Sequence, residues 1–160
     1  MAVQRTNVMR ILDQKKIPYQ AYSYPHGDSA VDGVTVSHLI GKPVEQVFKT
    51  LVAVGASKKN YVFVIPVACE LDLKKAAKAV GEKSISMLSV QNLLPLTGYV
   101  RGGCSPIGMK KLLPTFIHDA GNLPNQIIVS AGKIGQQVEL SPIDLQKLTN
   151  GRFADVIVEE

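Results

Sequence analysis

Thr97-Gly98-Tyr99-Val100-Arg101-Gly102-Gly103-Cys104-Ser105-Pro106-Ile107-Gly108 runs from a strand-like pair, Tyr99 and Val100, into two adjacent glycines, then a small polar residue and a proline. Adjacent glycines remove two Cβ atoms and admit φ > 0, so a ligand can approach the amides closely. Pro106 fixes its own φ and biases Ser105 away from the helical region, which stiffens the exit. A segment of this kind makes a backbone-lined concavity able to hold an anion or a carbonyl oxygen. It fits equally a Gly-rich hairpin connection that binds nothing, because Gly and Pro mark turns wherever they fall.

The flanking sequence supplies alternating strands and short helices. Thr6 caps a helix with Val8, Ile11 and Leu12 on one side, stopped by Pro18. Residues 19–24 read as a strand, Pro25-His26-Gly27-Asp28-Ser29 as a turn, and Thr35 as the start of a short helix ending at Gly41. After a helical turn at Pro43 come strands at 48–54 and 61–65, apolar enough to be covered on both faces. Asp72 caps a helix from Leu73 to Val80 with Gly81 beyond it, and a second helix covers 89–94 before Pro95. Downstream are a strand Thr115–His118, a strand at 127–129, and its hairpin partner Gln136–Leu140. Ser141-Pro142 then starts a helix ending near Asn150-Gly151, and residues 153–158 form a last strand. Strands and helices interleave irregularly, which predicts one mixed α/β domain over residues 1–160 without repeats or linkers.

Composition narrows the function. A chain of 160 residues with 46% apolar and 19% charged residues is long enough to bury about 70% of its unfolded surface. No apolar run approaches the roughly 18 residues of a membrane span, and residues 1–10 lack the apolar core of a signal peptide, so a cytoplasmic location is expected. Cys69 and Cys104 are too few and too far apart for a disulfide framework or a zinc site. The net charge of +5 favours a polyanion without identifying one.

No GxSxG, HExxH, Walker A or GxGxxG motif occurs. Of three histidines, His38 falls inside a helix and His118 ends a strand; His26, in the turn after Tyr24, is the one placed for a pocket mouth. Cys104 beside the glycines is either a nucleophile or a buried thiol, and no neighbouring His or Asp supports activation. Lys49 opens an apolar strand after Phe48. It either snorkels to the rim or holds a cation at a pocket mouth, where it can meet a phosphate or carbonyl.

At Lys49-Thr50-Leu51, Thr97-Gly98-Tyr99, Gly102-Gly103 with Ser105-Pro106, and Val129-Ser130-Ala131-Gly132-Lys133, the sequence resembles the YbaK/EbsC family. These are free-standing aminoacyl-tRNA deacylases related to the editing domain of bacterial prolyl-tRNA synthetases. The likeness extends from Lys16-Ile17-Pro18 to Phe153-Ala154-Asp155. It implies a strongly curved mixed sheet with surrounding helices around a small pocket, and hydrolysis of mischarged Cys-tRNA(Pro). It further implies catalytic roles for Lys49, Gly102 and Gly103, and substrate binding by Tyr24, Thr50, Ser105 and Ser130. No metal or cofactor is implied. The partners implied are the aminoacylated 3′ end of a mischarged tRNA and prolyl-tRNA synthetase, with no membrane.

In that family the cysteinyl thiol is thought to attack its own ester, releasing a thiolactone. Alternatives are an alanyl, seryl or threonyl ester cleaved by activated water, or a non-catalytic module that binds tRNA or a partner. Two places depart from the family pattern: Cys104 replaces a branched aliphatic, and Val31-Asp32-Gly33 lacks the aromatic that relatives place before the glycine.

Overall fold

The structure, a computed structural model, describes residues 4–159. The first three residues of the stretch read for a leader, and the last of the 1–160 domain, lie outside the described residues. Helix α1 (Asn7–Gln14) begins where the Thr6 hydroxyl accepts from the Met9 amide, and it buries Val8, Met9 and Leu12. Strand β1 (Gln20–Ser23) leads through an irregular loop to α2 (Gly33–Ile40). Thr35 does not open this helix. Asp32 does: its carboxylate accepts from the Thr35 amide at 3.1 Å and the Thr35 hydroxyl at 2.7 Å, so the helix starts two residues earlier. Gly41 closes it with φ +70°.

A 3-10 turn, Val44–Gln46, precedes the hairpin of β2 (Phe48–Gly55) and β3 (Asn60–Pro66). Helix α3 (Leu73–Val80) carries the expected caps, Asp72 and Gly81. Strand β4 (Ile85–Met87) was not legible in the sequence, being three residues long with two of them exposed. Helix α4 (Val90–Thr97) contains Pro95 instead of stopping before it. Pro95 is exposed in the last turn, where it removes the amide bond to residue 91 and its ring crowds that carbonyl, a cost the helix carries for only two further residues. The remaining elements are β5 (Thr115–His118), β6 (Ile127–Ser130), β7 (Gln136–Leu140), α5 (Pro142–Thr149) and β8 (Arg152–Ala154). Strand β8 is shorter than expected: beyond Ala154 only a bridge between Leu71 and Ile157 continues the pairing.

The mixed α/β class holds, but the strands form two sheets where one curved sheet was expected. Strands β1, β7 and β6 make an antiparallel sheet in that order, and the other five run β4-β2-β3-β5-β8. In the larger sheet β3, β5 and β8 are parallel, each pair separated by helix-bearing crossovers. Central β3 is buried on both faces, as its apolar run requires. A single parallel bridge, Val47 to Ile128, joins the two sheets just before β2 and within β6. Val8, Leu12, Phe48, Val64, Ile127 and Leu140 pack across that junction in one apolar cluster.

Candidate active site

An open cleft of about 970 Å³ lies over the junction of the two sheets. Its walls are the loop after β1, the start of β2, the turn at 100–102 and the end of the β6–β7 hairpin. Tyr24, Lys49, Thr50, Gly102 and Ser130 all line it. Lys49 and Ser130 each stand two residues beyond the Val47–Ile128 bridge, on strands that leave it in the same direction, so the sheet junction sets their relation. The cleft is larger than the small pocket expected, and lies at the upper end of the range for small-molecule sites.

Two of these residues carry orphaned polar atoms. The Tyr24 side chain is 1% exposed, and its hydroxyl, like Thr50 Oγ1, is buried without a hydrogen-bond partner among the described residues. A buried hydroxyl left unpaired costs about 1–3 kcal/mol, so both are sites where a ligand's polar atoms would be matched. Lys49 is half-buried at the second position of β2 and forms no ion pair among the described residues. The Ser130 oxygen accepts from the Gly132 amide at 3.2 Å, which leaves its hydroxyl hydrogen free to donate.

The glycine pair divides. Gly102 has φ +87°, and the Gly103 amide donates to the Val100 carbonyl at 3.0 Å, which closes a tight turn with glycine at its third position. Tyr99 and Val100 therefore enter a turn and do not form a strand. Gly103 is buried, and a Cβ there would lie 3.0 Å from the Ile134 amide nitrogen. Its amide is spent and it does not line the cleft, whereas the Gly102 amide donates to no group among the described residues. Ser105 is also outside the cleft: it is fully buried and its hydroxyl accepts from the Ile107 amide at 3.2 Å.

Other candidates separate as clearly. Cys104 lines the cleft, but burial pushes its thiol up to about 12, against a smaller lowering by the Thr97 hydroxyl, so the thiolate needed for attack is not populated at neutral pH. His26 packs its ring on Gly135 and edge-on to Tyr24, with Nδ1 2.7 Å from the Gly27 carbonyl oxygen, and it does not line the cleft. His38 is exposed, and His118 is buried on β5, where Nδ1 accepts from the Val156 amide. No group of three His, Cys, Asp or Glu side chains among the described residues could hold a metal. Sequence reasoning missed Arg101 and residues 28–30 as cleft walls, while Val31-Asp32-Gly33, the place of the family's missing aromatic, does line the cleft; the turn-rich composition around residue 28 was the available signal.

A cleft with a lysine, two unpaired hydroxyls and a free glycine amide can hold a phosphate or a carbonyl oxygen, and the comparisons with known proteins narrow the choice. The chain belongs to the aminoacyl-tRNA editing domain family, which it matches over residues 29–148. It is 46% identical over 157 residues to EbsC of Enterococcus faecalis, covering 98% of this chain and 96% of that protein, which is provisionally named a Cys-tRNA(Pro)/Cys-tRNA(Cys) deacylase. The fold matches a crystal structure described provisionally as a trans-editing enzyme for prolyl-tRNA synthetase, with a TM-score of 0.81 at 22% identity over 98% of this chain and 99% of the other. It also matches a hypothetical protein with a TM-score of 0.84 at 19% identity, over 96% and 100% of the two chains. The protein is thus an aminoacyl-tRNA editing hydrolase. No helix among the described residues is long and apolar enough to cross a membrane.

Proposed function

We propose that the protein, with residues 1–160 acting as one editing domain, deacylates Cys-tRNA(Pro), and that the cysteinyl thiol supplies the nucleophile. The observation that carries the reading is the pairing of unsatisfied Tyr24 and Thr50 hydroxyls with Lys49 in a cleft whose own thiol, Cys104, is held protonated. The relationship to EbsC supports the cysteinyl choice.

A free thiol has a pKa of roughly 8.5, so a few per cent is already thiolate at neutral pH and little activation is needed. Its sulfur bonds to the ester carbonyl carbon and the carbonyl oxygen takes up the negative charge. The carbon–oxygen bond to the ribose then breaks, the ribose oxygen takes a proton, and a four-membered thiolactone leaves for water to open. Holding sulfur over carbon is worth at most about 7–11 kcal/mol, and ring strain reduces that. Stabilising the oxyanion is therefore the protein's larger contribution. The Gly102 amide is the available backbone donor, and Lys49 provides a point charge for the ester or phosphate oxygen. Tyr24, Thr50 and Ser130 would fix the terminal adenosine. Discrimination for tRNA(Pro) would come from prolyl-tRNA synthetase acting as partner.

The test is a comparison of Cys-tRNA(Pro) with Ser-tRNA(Pro), which differ by sulfur for oxygen. The cysteinyl ester is expected to be cleaved at least a hundred-fold faster, about 2.7 kcal/mol in barrier. Equal rates would refute assistance by the substrate thiol.

A further inference from the structure

The positive charge of the chain is unevenly placed. Residues 83–138 hold five basic residues, Lys83, Arg101, Lys110, Lys111 and Lys133, against one acid, Asp119, so they supply four of the five net charges. Four of those cations lie on segments packed around residues 97–103, the turn that forms one edge of the cleft, though only Arg101 lines the cleft itself. Arg101 sits at the tip of the 100–103 turn and lines the cleft. The Lys110 amide donates to the Thr97 carbonyl at 3.0 Å, and its side-chain stem lies 3.3 Å from where a Cβ on Gly98 would be. Lys111 follows it. Across the turn, the Lys133 backbone packs within 3.2 Å of the Cβ position of Gly103. All four are exposed, and none forms an ion pair among the described residues.

Asp28 and Asp32 line the cleft on the loop that packs against Gly102, yet neither pairs with these cations. Like charges that are left unpaired repel one another and suit an anion from outside. We infer that the Arg101, Lys110, Lys111 and Lys133 rim is the platform for the duplex acceptor stem of the tRNA whose charged 3′ end enters the cleft. The inference rests on the reading of the cleft as an aminoacyl-ester site. A duplex fits better than a single strand because single-strand sites use aromatic rings as stacking platforms. The ring on this rim, Tyr99, is turned inward, with its hydroxyl donating to the Ile107 carbonyl. Lysines that act as point charges suit phosphates and read no base, so the rim supplies affinity and orientation without sequence choice.

The variant that tests this is Lys110→Gln/Lys111→Gln/Lys133→Gln, which leaves Arg101 in place because it lines the cleft. Two measurements are made on the wild type and the variant: binding of an uncharged acceptor-stem minihelix ending in CCA across a salt series, and hydrolysis of 3′-O-cysteinyl-adenosine. Three phosphate contacts predict that wild-type affinity falls by an extra factor of about forty between 50 and 200 mM salt, and that the variant loses this dependence. Hydrolysis of cysteinyl-adenosine should be unchanged, because that ester has no stem. Equal minihelix affinity and equal salt slope in the two proteins would overturn the inference. So would a variant that binds the minihelix normally but no longer binds prolyl-tRNA synthetase, which would make the rim a protein-docking surface. Failure of the wild type to cleave cysteinyl-adenosine would instead remove the reading of the cleft, while minihelix binding would still decide the rim.

Discussion

Replacing Tyr24 with Phe should improve the fold and impair the enzyme. The side chain is 1% exposed and its hydroxyl has no partner among the described residues, so the folded state bears the cost of removing that oxygen from water without an intramolecular return. Mutational data put that cost at about 1–3 kcal/mol. Phe keeps the ring, its packing and its edge-on contact with His26, and leaves a gap no larger than one oxygen. At the lower limit, about 1 kcal/mol, a chain of this size gains about 2–4 °C in Tm. When substrate is bound, the hydroxyl gains a partner worth about 1 kcal/mol, so Tyr24→Phe should lower kcat/KM roughly five-fold. Thermal melts by circular dichroism and steady-state deacylation of Cys-tRNA(Pro) read the two effects from one preparation. A variant that melts lower than the wild type and turns over normally would refute the reasoning, because the hydroxyl would then serve the fold.

Three further substitutions test the remaining assignments. Lys49→Ala should lower kcat/KM by about 10- to 150-fold, the range for a charge-assisted hydrogen bond, with Tm nearly unchanged because no ion pair is lost; wild-type turnover would remove Lys49 from the site. Cys104→Ala should keep deacylation within two-fold while costing about 1 kcal/mol of stability, and loss of turnover with the fold intact would restore Cys104 as a nucleophile. Burial holds the His118 imidazole below its ordinary 6.5, and Asp155, Asp119 and Lys75 face it with smaller opposing and reinforcing effects. The unfolded chain therefore takes up a proton that the folded state resists, so stability is complete above pH 6.5 and falls as pH drops toward the folded value. His118→Asn, which keeps an acceptor for the Val156 amide, should flatten the loss of denaturation midpoint between pH 7 and 5; an identical slope in both proteins would exclude His118 as its source.

Local chemistry was readable wherever one residue does one job. Asp72 and Gly81 bracket α3 because a side-chain acceptor and a left-handed glycine leave few alternatives. Two oxygens close together defeated the same logic at α2, where Asp32 and Thr35 both suit a cap and the longer reach of the carboxylate prevails. Ser105 and Gly103 looked like site residues for a related reason. A serine accepting from the amide two residues ahead, and a glycine amide closing a turn, leave the same imprint in sequence as groups that face a ligand. Composition and spacing did not reveal the cleft; the family resemblance alone brought its residues together. Tyr24, Lys49, Thr50, Gly102 and Ser130 come from four separate segments, and only long-range pairing decides that they share a wall.

The one parallel bridge between Val47 and Ile128 has a mechanical consequence. Lys49 and Ser130 belong to different sheets, so the two halves of the cleft keep their spacing only while those sheets stay docked. A methyl removed at Ile128, which is fully buried and does not line the cleft, should therefore act on turnover as well as on melting. Evolution of a new ester preference could proceed there too, by small changes of tilt at the sheet junction, while every residue that touches the substrate stayed the same.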